Sequence, residues 1–235
     1  MRAGHRPAHT TSIQALDLYD VMGELCGAGS SPLRCLSLGP LTDIARLLIA
    51  DTRQGTSLGL KRWMHITAMG GALDYRRPGT AGHSWRMNPV AVQTVLAEAE
   101  PVTLVLSEHT FIEEIAVSAC SPIYRLLASR PDEWARLLRE HYDQFFACFY
   151  DSSKLHDAVG ASPMLGRGFV RGSVREFELR RDARMCEGTG TRAWLSEEVD
   201  TPPIMAWVEH VFRDVQTTGA AQVMGRLSPE HVGSL

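Results

Sequence analysis

Apolar residues along the chain form short continuous runs that alternate with stretches of helical periodicity. Three of the runs have the length and composition of strands that are buried on both faces. They cover residues 33–38, 63–69 and 101–106. Helical spacing follows the first run at 41–48 and precedes the third at 89–96, where Asn88 provides an N-terminal cap. Strands that alternate with helices indicate an α/β fold with a mostly parallel sheet and a binding site at the carboxyl ends of the strands.

The remaining stretches are helical, extended or irregular by the same criteria. A helical pattern begins near residue 10, residues 111–150 are predicted to be largely helical, and an amphipathic helix follows Pro203. Residues 170–179 alternate like a solvent-facing strand, whereas residues 72–87, rich in Gly, Arg, Pro and His, are a candidate binding loop. An apolar stripe within residues 111–150 is assigned to the core. It consists of Trp134, Leu137, Leu138, His141, Phe145, Phe146 and Phe149.

The composition is that of a globular protein with a small-molecule partner. At 235 residues and 44% hydrophobic content the chain can form one sizeable core, so we expect a single domain over 1–235 with mobile tails at 1–10 and 218–235. A formal net charge of -3 provides no basic field, which argues against binding to nucleic acid or to a membrane surface.

The cysteines and the first residues suggest a compartment. The five cysteines are far apart, odd in number and free of any CxxC pair, so they indicate neither a zinc site nor a disulfide framework and are expected to be buried, reduced thiols. No apolar run approaches the roughly 20 residues that cross a bilayer, and the start of the chain has no signal-peptide core. We therefore expect a cytoplasmic protein.

His156 and Asp157 stand side by side just before an apolar run and are the best candidates for chemistry. A neighbouring imidazole and carboxylate can supply a proton donor and a metal ligand at one spot. The structural alternative is an ordinary helix start, since Asp before an apolar run is a common N-terminal signal.

Three other features have structural explanations at least as good as functional ones. Gly70-Gly71 fits a tight turn, because no phosphate-binding glycine pattern surrounds it. Arg76-Arg77 could meet an anionic substrate, but an exposed pair on a mobile loop is the default. Glu108 follows the third strand, where a solvated glutamate is the commoner outcome.

Four segments, taken together, resemble the inosine-uridine-type nucleoside hydrolases, which cleave the N-glycosidic bond of ribonucleosides with a bound calcium ion. The segments are Leu38-Gly39-Pro40-Leu41-Thr42-Asp43-Ile44-Ala45, Ile66-Thr67-Ala68-Met69-Gly70-Gly71, Asn88-Pro89-Val90-Ala91-Val92 and Pro101-Val102-Thr103-Leu104-Val105. The His156-Asp157 pair follows them in the correct order. The resemblance implies an open, mostly parallel sheet flanked by helices, a nucleoside or nucleobase as ligand, and calcium as cofactor.

The resemblance also assigns roles to matching positions. His156 corresponds to the histidine that protonates or contacts the leaving base, and Asp157 corresponds to an aspartate ligand of calcium. Leu38 lies where the family offers a backbone carbonyl to the metal, and Met69 lies at the floor of the ribose pocket. Calcium prefers such oxygen ligands, and it can orient the ribose hydroxyls and activate the attacking water.

The chain departs from the family at its metal and ribose ligands. It contains no Asp-x-Asp-Pro-Gly-x-Asp-Asp loop, so the family's opening strand and most calcium ligands are expected to be missing. Gly82-His83-Ser84 stands where the family has Glu-Phe-Asn, and Gly79-Thr80 replaces a Gly-Asn pair. Ser84 and Thr80 are left to bind the substrate by single hydrogen bonds. Because calcium takes about 6–8 oxygens, we expect this chain to bind it weakly or not at all.

Two classes of function follow from these observations. The first is a ribonucleoside hydrolase whose opening segment is supplied by an upstream coding region or by a complementing N-terminal polypeptide. The second is a noncatalytic relative that binds nucleosides or assembles, for instance as a homo-oligomer, on the same scaffold. A diverged hydrolase that uses His156 and works without metal is a third alternative.

Overall fold

A five-stranded sheet forms the centre of the molecule, for which the computed structural model describes residues 17–28, 32–53 and 58–215. The strands are β1 (Leu33–Ser37), β2 (Met64–Met69), β3 (Val102–Val105), β4 (Ala116–Ser118), β5 (Ser152–Lys154), β6 (Val170–Leu179) and β7 (Met185–Val199). The sheet has the order β1-β2-β3-β7-β6, and β4 pairs separately with β5. Strands β1, β2, β3 and β7 are parallel, whereas β6 is antiparallel to β7. The predicted α/β fold with a mostly parallel sheet is confirmed.

Helices cover the sheet and connect its strands. They are α1 (Leu18–Ala28), α2 (Thr42–Arg53), α3 (Leu60–Trp63), α4 (His83–Met87), α5 (Pro89–Glu98), α6 (Ser107–Thr110), α7 (Pro122–Ser129), α8 (Glu133–Cys148), α9 (His156–Met164) and α10 (Thr201–Asp214), with a 3-10 turn at Glu113–Ile115. Helix α2 packs on α5, α9 packs on β1 and β2, and α10 packs on α7 and α9. None of the helices in the described ranges is both long enough and apolar enough to span a bilayer.

Burial follows the pattern of apolar runs. The largest buried cluster joins α2, α5 and the sheet through residues such as Leu48, Ile66 and Leu104. A second cluster contains Val105 of β3 and Val159 of α9, together with residues of β6 and α10. The second cluster fixes the start of α9 against the sheet, because burial of aliphatic side chains is worth about 1.5–3 kcal/mol each.

Asn88 caps α5 as its sequence position predicts. Its Oδ1 accepts the backbone N–H of Ala91 at 3.1 Å, and its Nδ2 donates to Thr42 Oγ1 at 3.0 Å. The Asn88→Ala variant is expected to lose about 1–2 kcal/mol of unfolding free energy in urea denaturation, since both bonds are removed. Asn88→Asp keeps the cap and loses only the donor to Thr42, so it should lose less. Equal losses in the two variants would contradict the capping role.

Strands β1, β2 and β3, the loop after β2 and the last helix lie where the sequence predicts them. The predicted burial of β1 on both faces is wrong, because β1 is an edge strand in which Arg34 is exposed and Ser37 is the one buried residue. Strands β4, β5 and β7 were not predicted, and β4 interrupts the stretch 111–150 that was expected to be largely helical. Two predictions fall outside the described residues. They are the start of the first helix near residue 10 and the mobile tails at 1–10 and 218–235.

The assignment of the whole α8 stripe to the core is wrong. Leu137 and Phe149 are 56% and 69% exposed, whereas Trp134 and Leu138 pack partly against a buried cluster with α7 and α10. Helix α8 contacts α7 and β5, so one side of the stripe faces solvent. Periodicity identifies an apolar face, but it does not show how much of that face a neighbour covers.

The predicted burial of the thiols is wrong for two of the five cysteines. Cys120 and Cys148 are exposed, whereas Cys26, Cys35 and Cys186 are partly buried. Burial raises the pKa of Cys26 and of Cys35, which lowers the fraction of reactive thiolate at neutral pH.

Candidate functional site

A cavity of about 250 Å³ lies at the carboxyl ends of β2 and β3, where the alternation of strands and helices predicts a site. Its walls come from residues that follow these two strands, from the loop 72–87 and from the first residue of α9. Segments that are distant in the sequence therefore meet at one edge of the sheet.

Gly70 and Gly71, which follow β2, pack closely against Trp85, a fully buried residue of α4. Gly71 has a left-handed φ of 72°, and a Cβ on this residue would lie 2.7 Å from Trp85 Cη2. The backbone is held on both sides, since Gly70 N–H donates to the Val105 carbonyl at 3.0 Å and Ser107 N–H donates to the Gly71 carbonyl at 2.9 Å. The tight turn that the sequence favours is not found, since Gly70 and Gly71 hydrogen-bond to the segment around the end of β3. The lack of side chains on both residues leaves room for the indole of Trp85.

His156, the first residue of α9, reaches the cavity beside Phe111. The two rings are stacked, with centroids 5.6 Å apart and planes inclined by 17°. Burial lowers the pKa of His156, whereas a hydrogen bond to the Thr110 backbone and the charge of Asp157 raise it. Because burial has the largest effect, the imidazole is mostly neutral at pH 7.

Two cations lie against the ring of Phe111. Arg76 Cζ is 3.6 Å from the ring centroid, and Lys154 Nζ is 4.8 Å from it. Both positive charges also lower the pKa of His156. Lys154 Nζ forms a salt bridge of 2.7 Å with Glu113, whereas within the described part of the chain Arg76 has no salt bridge. Arg76 is exposed, as the default interpretation expects, but it also borders the cavity.

Glu108 fastens the loop 72–87 to the segment after β3. Its Oε1 accepts the backbone N–H of Leu73 at 2.9 Å and that of Asp74 at 3.3 Å. Its Oε2 is buried and has no hydrogen-bond partner among the residues that are described. The solvated glutamate that the sequence favours is therefore not found, and the carboxylate positions a wall of the cavity.

Three of the six residues that the sequence assigns to the site line the cavity, namely His156, Met69 and Ser84. Thr80 does not line it, and its hydroxyl donates to the Arg77 carbonyl at 2.9 Å within the same loop. The structure thus brings together the predicted base contact and two of the predicted substrate contacts.

The two predicted calcium ligands lie outside the cavity. Leu38 follows β1 and lies with Met69 against Gly160 of α9, and Asp157 is exposed. The described ranges contain no group of three His, Cys, Asp or Glu residues that could hold a metal ion. Outside those ranges the sequence adds one acidic side chain, Glu230. Calcium takes about 6–8 oxygens, so the donors that the structure describes do not fit it.

Five residues that line the cavity were not identified from the sequence, namely Tyr75, Trp85, Ser107, Thr110 and Phe111. Phe111 lies at the start of a stretch predicted as helical, and no periodic signal distinguishes it. A lone tryptophan in a loop with little apolar content was the available signal for Trp85, because such a side chain needs a buried site.

Comparison with known proteins gives matches at the level of structure. No protein-family model matches the chain, and no curated protein matches its sequence. An inosine-uridine preferring nucleoside hydrolase from Bacillus anthracis superposes with a TM-score of 0.62 at 18% identity, covering 84% of this chain and 65% of that chain. A purine-preferring ribonucleoside hydrolase from Gardnerella vaginalis gives a TM-score of 0.66 at 16% identity over 86% of this chain and 68% of that chain. A plant nucleoside hydrolase gives 0.67 at 13% identity over 91% and 70%.

The chain spans about two thirds of the length of these hydrolases. At such identities a superposition establishes architecture, while activity depends on the residues of the site. This chain has the α/β fold of the nucleoside hydrolases.

Proposed function

We propose that the chain binds a ribonucleoside in the cavity and hydrolyses the bond between ribose and base, with His156 at the base. The observation that carries this proposal is the stack of His156 on Phe111 at the carboxyl ends of β2 and β3. Stacked rings at the border of a cavity suit a flat heteroaromatic base. The shared fold supports the same assignment, since the structural neighbours are named as nucleoside hydrolases.

His156 would assist departure of the base. As the bond between C1′ and the base nitrogen breaks, the base takes up a proton, and imidazole is the usual side chain for proton transfer near neutral pH. A hydrogen bond to the Thr110 backbone engages the ring and leaves a second nitrogen for the base. Because the pKa of His156 is lowered, its protonated form is a stronger acid than ordinary imidazolium.

Ribose would lie against Met69 and Ser84, both of which border the cavity. The Ser84 hydroxyl can bond one ribose hydroxyl, which is weaker than the charge-assisted bond of a carboxylate. The role of Thr80 in substrate binding stays a prediction, as do a cytoplasmic location and assembly into homo-oligomers.

We infer that calcium contributes little to this chain, because the described donors are too few for the ion. The cavity is not lined by Asp or Glu, so the described residues place no carboxylate beside an attacking water. His156, which lines the cavity, would therefore act on the leaving base and not on the attacking water.

The same lack of a lining carboxylate favours a second candidate, a noncatalytic nucleoside-binding protein. Binding requires only the stacked rings and the hydroxyls, whereas turnover also requires a water that attacks C1′. The two candidates therefore share a ligand and differ in chemistry.

The test is incubation of the full chain with a panel of ribonucleosides that includes inosine and uridine. Release of free base is measured by chromatography with added calcium and with a chelator, and binding is measured by calorimetry. We expect base to be released, and we expect the rate of release to change by less than about threefold on chelation, which corresponds to under about 1 kcal/mol in activation free energy. Binding without release supports the second candidate, and absence of both overturns the two together. A calcium-dependent rate that is lost in Asp157→Asn would instead establish Asp157 as a ligand.

A further inference from the structure

A guanidinium, that of Arg76, is among the groups that line the cavity. The charged or titratable lining residues are Arg76, His83, His156 and Tyr75, and no Asp or Glu of the described ranges lines the cavity. A site that binds a neutral nucleoside needs hydrogen-bonding groups but no cation, so the presence of a guanidinium calls for a further explanation.

Arg76 is held in a way that leaves its donors available. The guanidinium carbon lies 3.6 Å from the centroid of Phe111, so the cation is attracted to the face of the ring. Guanidinium N–H groups lie in the plane of the cation, and stacking through the face leaves these donors at the edges. Within the described residues Arg76 forms no salt bridge that would occupy them.

The surrounding acids do not neutralise Arg76 directly. Glu113 pairs with Lys154, whose side chain is only 11% exposed. Glu108 and Asp74 border a smaller neighbouring cavity with Arg76. Glu108 Oε1 accepts the Leu73 and Asp74 backbone N–H groups, whereas its Oε2 has no hydrogen-bond partner among the described residues. None of these three acids lines the main cavity, and within the described ranges none forms a salt bridge with Arg76, so an anion could contact Arg76 without breaking an ion pair.

We propose that the ligand of this cavity is a nucleoside monophosphate, with its base near the His156–Phe111 stack and its phosphate on Arg76. This inference rests on the proposed nucleoside site and names its ligand class. Planar guanidinium matches the geometry of two phosphate oxygens, which makes it a better phosphate partner than a point charge. Hydrolysis would break the C1′–N bond, place the hydroxyl of water on C1′ and its proton on the base, and release ribose phosphate.

The test compares inosine, inosine 5′-monophosphate and inorganic phosphate as ligands of the full chain in isothermal titration calorimetry. The monophosphate is expected to bind about 10- to 100-fold more tightly than inosine, the range for one charge-assisted contact. Arg76→Ala should remove this difference, so that the monophosphate and inosine bind to the variant within about twofold of each other. Arg77→Ala is the matched control, because Arg77 is the adjacent exposed arginine and does not line the cavity, and it should keep the difference.

Each other outcome is decisive. If inosine and its monophosphate bind equally in the wild type, the phosphate assignment is overturned and the nucleoside site stands. If inorganic phosphate binds as tightly as the monophosphate, base and ribose contribute nothing and the nucleotide assignment is overturned. If Arg77→Ala loses the difference as fully as Arg76→Ala, the effect reflects the net charge of the loop and the assignment to Arg76 is overturned. Failure of inosine and monophosphate alike overturns the proposed nucleoside site as well.

Discussion

Replacement of His156 by alanine is expected to lower kcat/KM for nucleoside hydrolysis by about 100-fold or more, since general acid catalysis contributes roughly 10²–10⁴-fold. The substitution removes both the proton donor and the ring that stacks on Phe111. Steady-state kinetics on the best nucleoside of the panel provide the measurement.

The control for this variant is His210→Ala. His210 lies on α10, is 70% exposed, pairs with Asp214 at 3.2 Å and does not line the cavity. It should retain activity within about twofold. Activity of His156→Ala within the same margin, in a protein with an unchanged melting temperature, would remove His156 from the mechanism.

The pH dependence of the wild type provides an independent check on His156. A general acid is active when protonated, so the rate should fall as pH rises through the pKa of His156. Burial lowers this pKa from the ordinary value of about 6.5, so the falling limb should be centred below that pH. A falling limb centred above pH 7 would mean that another group is the acid.

The second large effect is expected for Gly71→Ala, with a loss of about 2–4 kcal/mol in unfolding free energy. The left-handed conformation at φ 72° costs an alanine about 1–2 kcal/mol. The new Cβ would also lie 2.6 Å from Met185 Sδ and 2.7 Å from Trp85 Cη2, and overpacking of this kind costs about 1–3 kcal/mol. Urea denaturation measures the change, and nucleoside binding should weaken because the cavity wall shifts.

Gly79→Ala separates the two contributions to that loss. Gly79 has a similar φ of 75°, but no atom lies within 4 Å of an added Cβ. It should lose only the conformational part, about 1 kcal/mol. Equal losses at the two glycines would show that packing around Trp85 contributes nothing.

Much of the sheet could be predicted because β1, β2 and β3 are continuous apolar runs. Strand β7 escaped prediction because about half of its residues are exposed, including Gly188 and Gly190, although it pairs with β6 from Met185 to Val199. Only the segment near Leu195 is buried beside β3, and four buried or partly buried residues are too few to stand out. A strand whose composition resembles that of a loop has no apolar pattern by which it can be predicted.

Only part of the candidate site could be predicted from the sequence. His156, Met69 and Ser84 were located by resemblance and chain order, which transfer between distant relatives. The sequence raised Arg76 as a possible contact for an anion, but the tertiary contact of its guanidinium with the Phe111 ring leaves no trace in local sequence. The position of Glu108 under the loop was likewise fixed by backbone N–H groups 34 and 35 residues away.

The pairing of β3 with β7 has a consequence during protein synthesis. Leu106 N–H donates to Ser196 Oγ at 2.9 Å although 90 residues separate them. The cavity floor and its loop leave the ribosome well before the strand that covers the edge of β3. Open strand edges attract other chains, so a nascent polypeptide that stops short of β7 should be prone to aggregation. Solubility of the newly made protein thus depends on a strand pair that is synthesised late and of which about half of the residues are exposed.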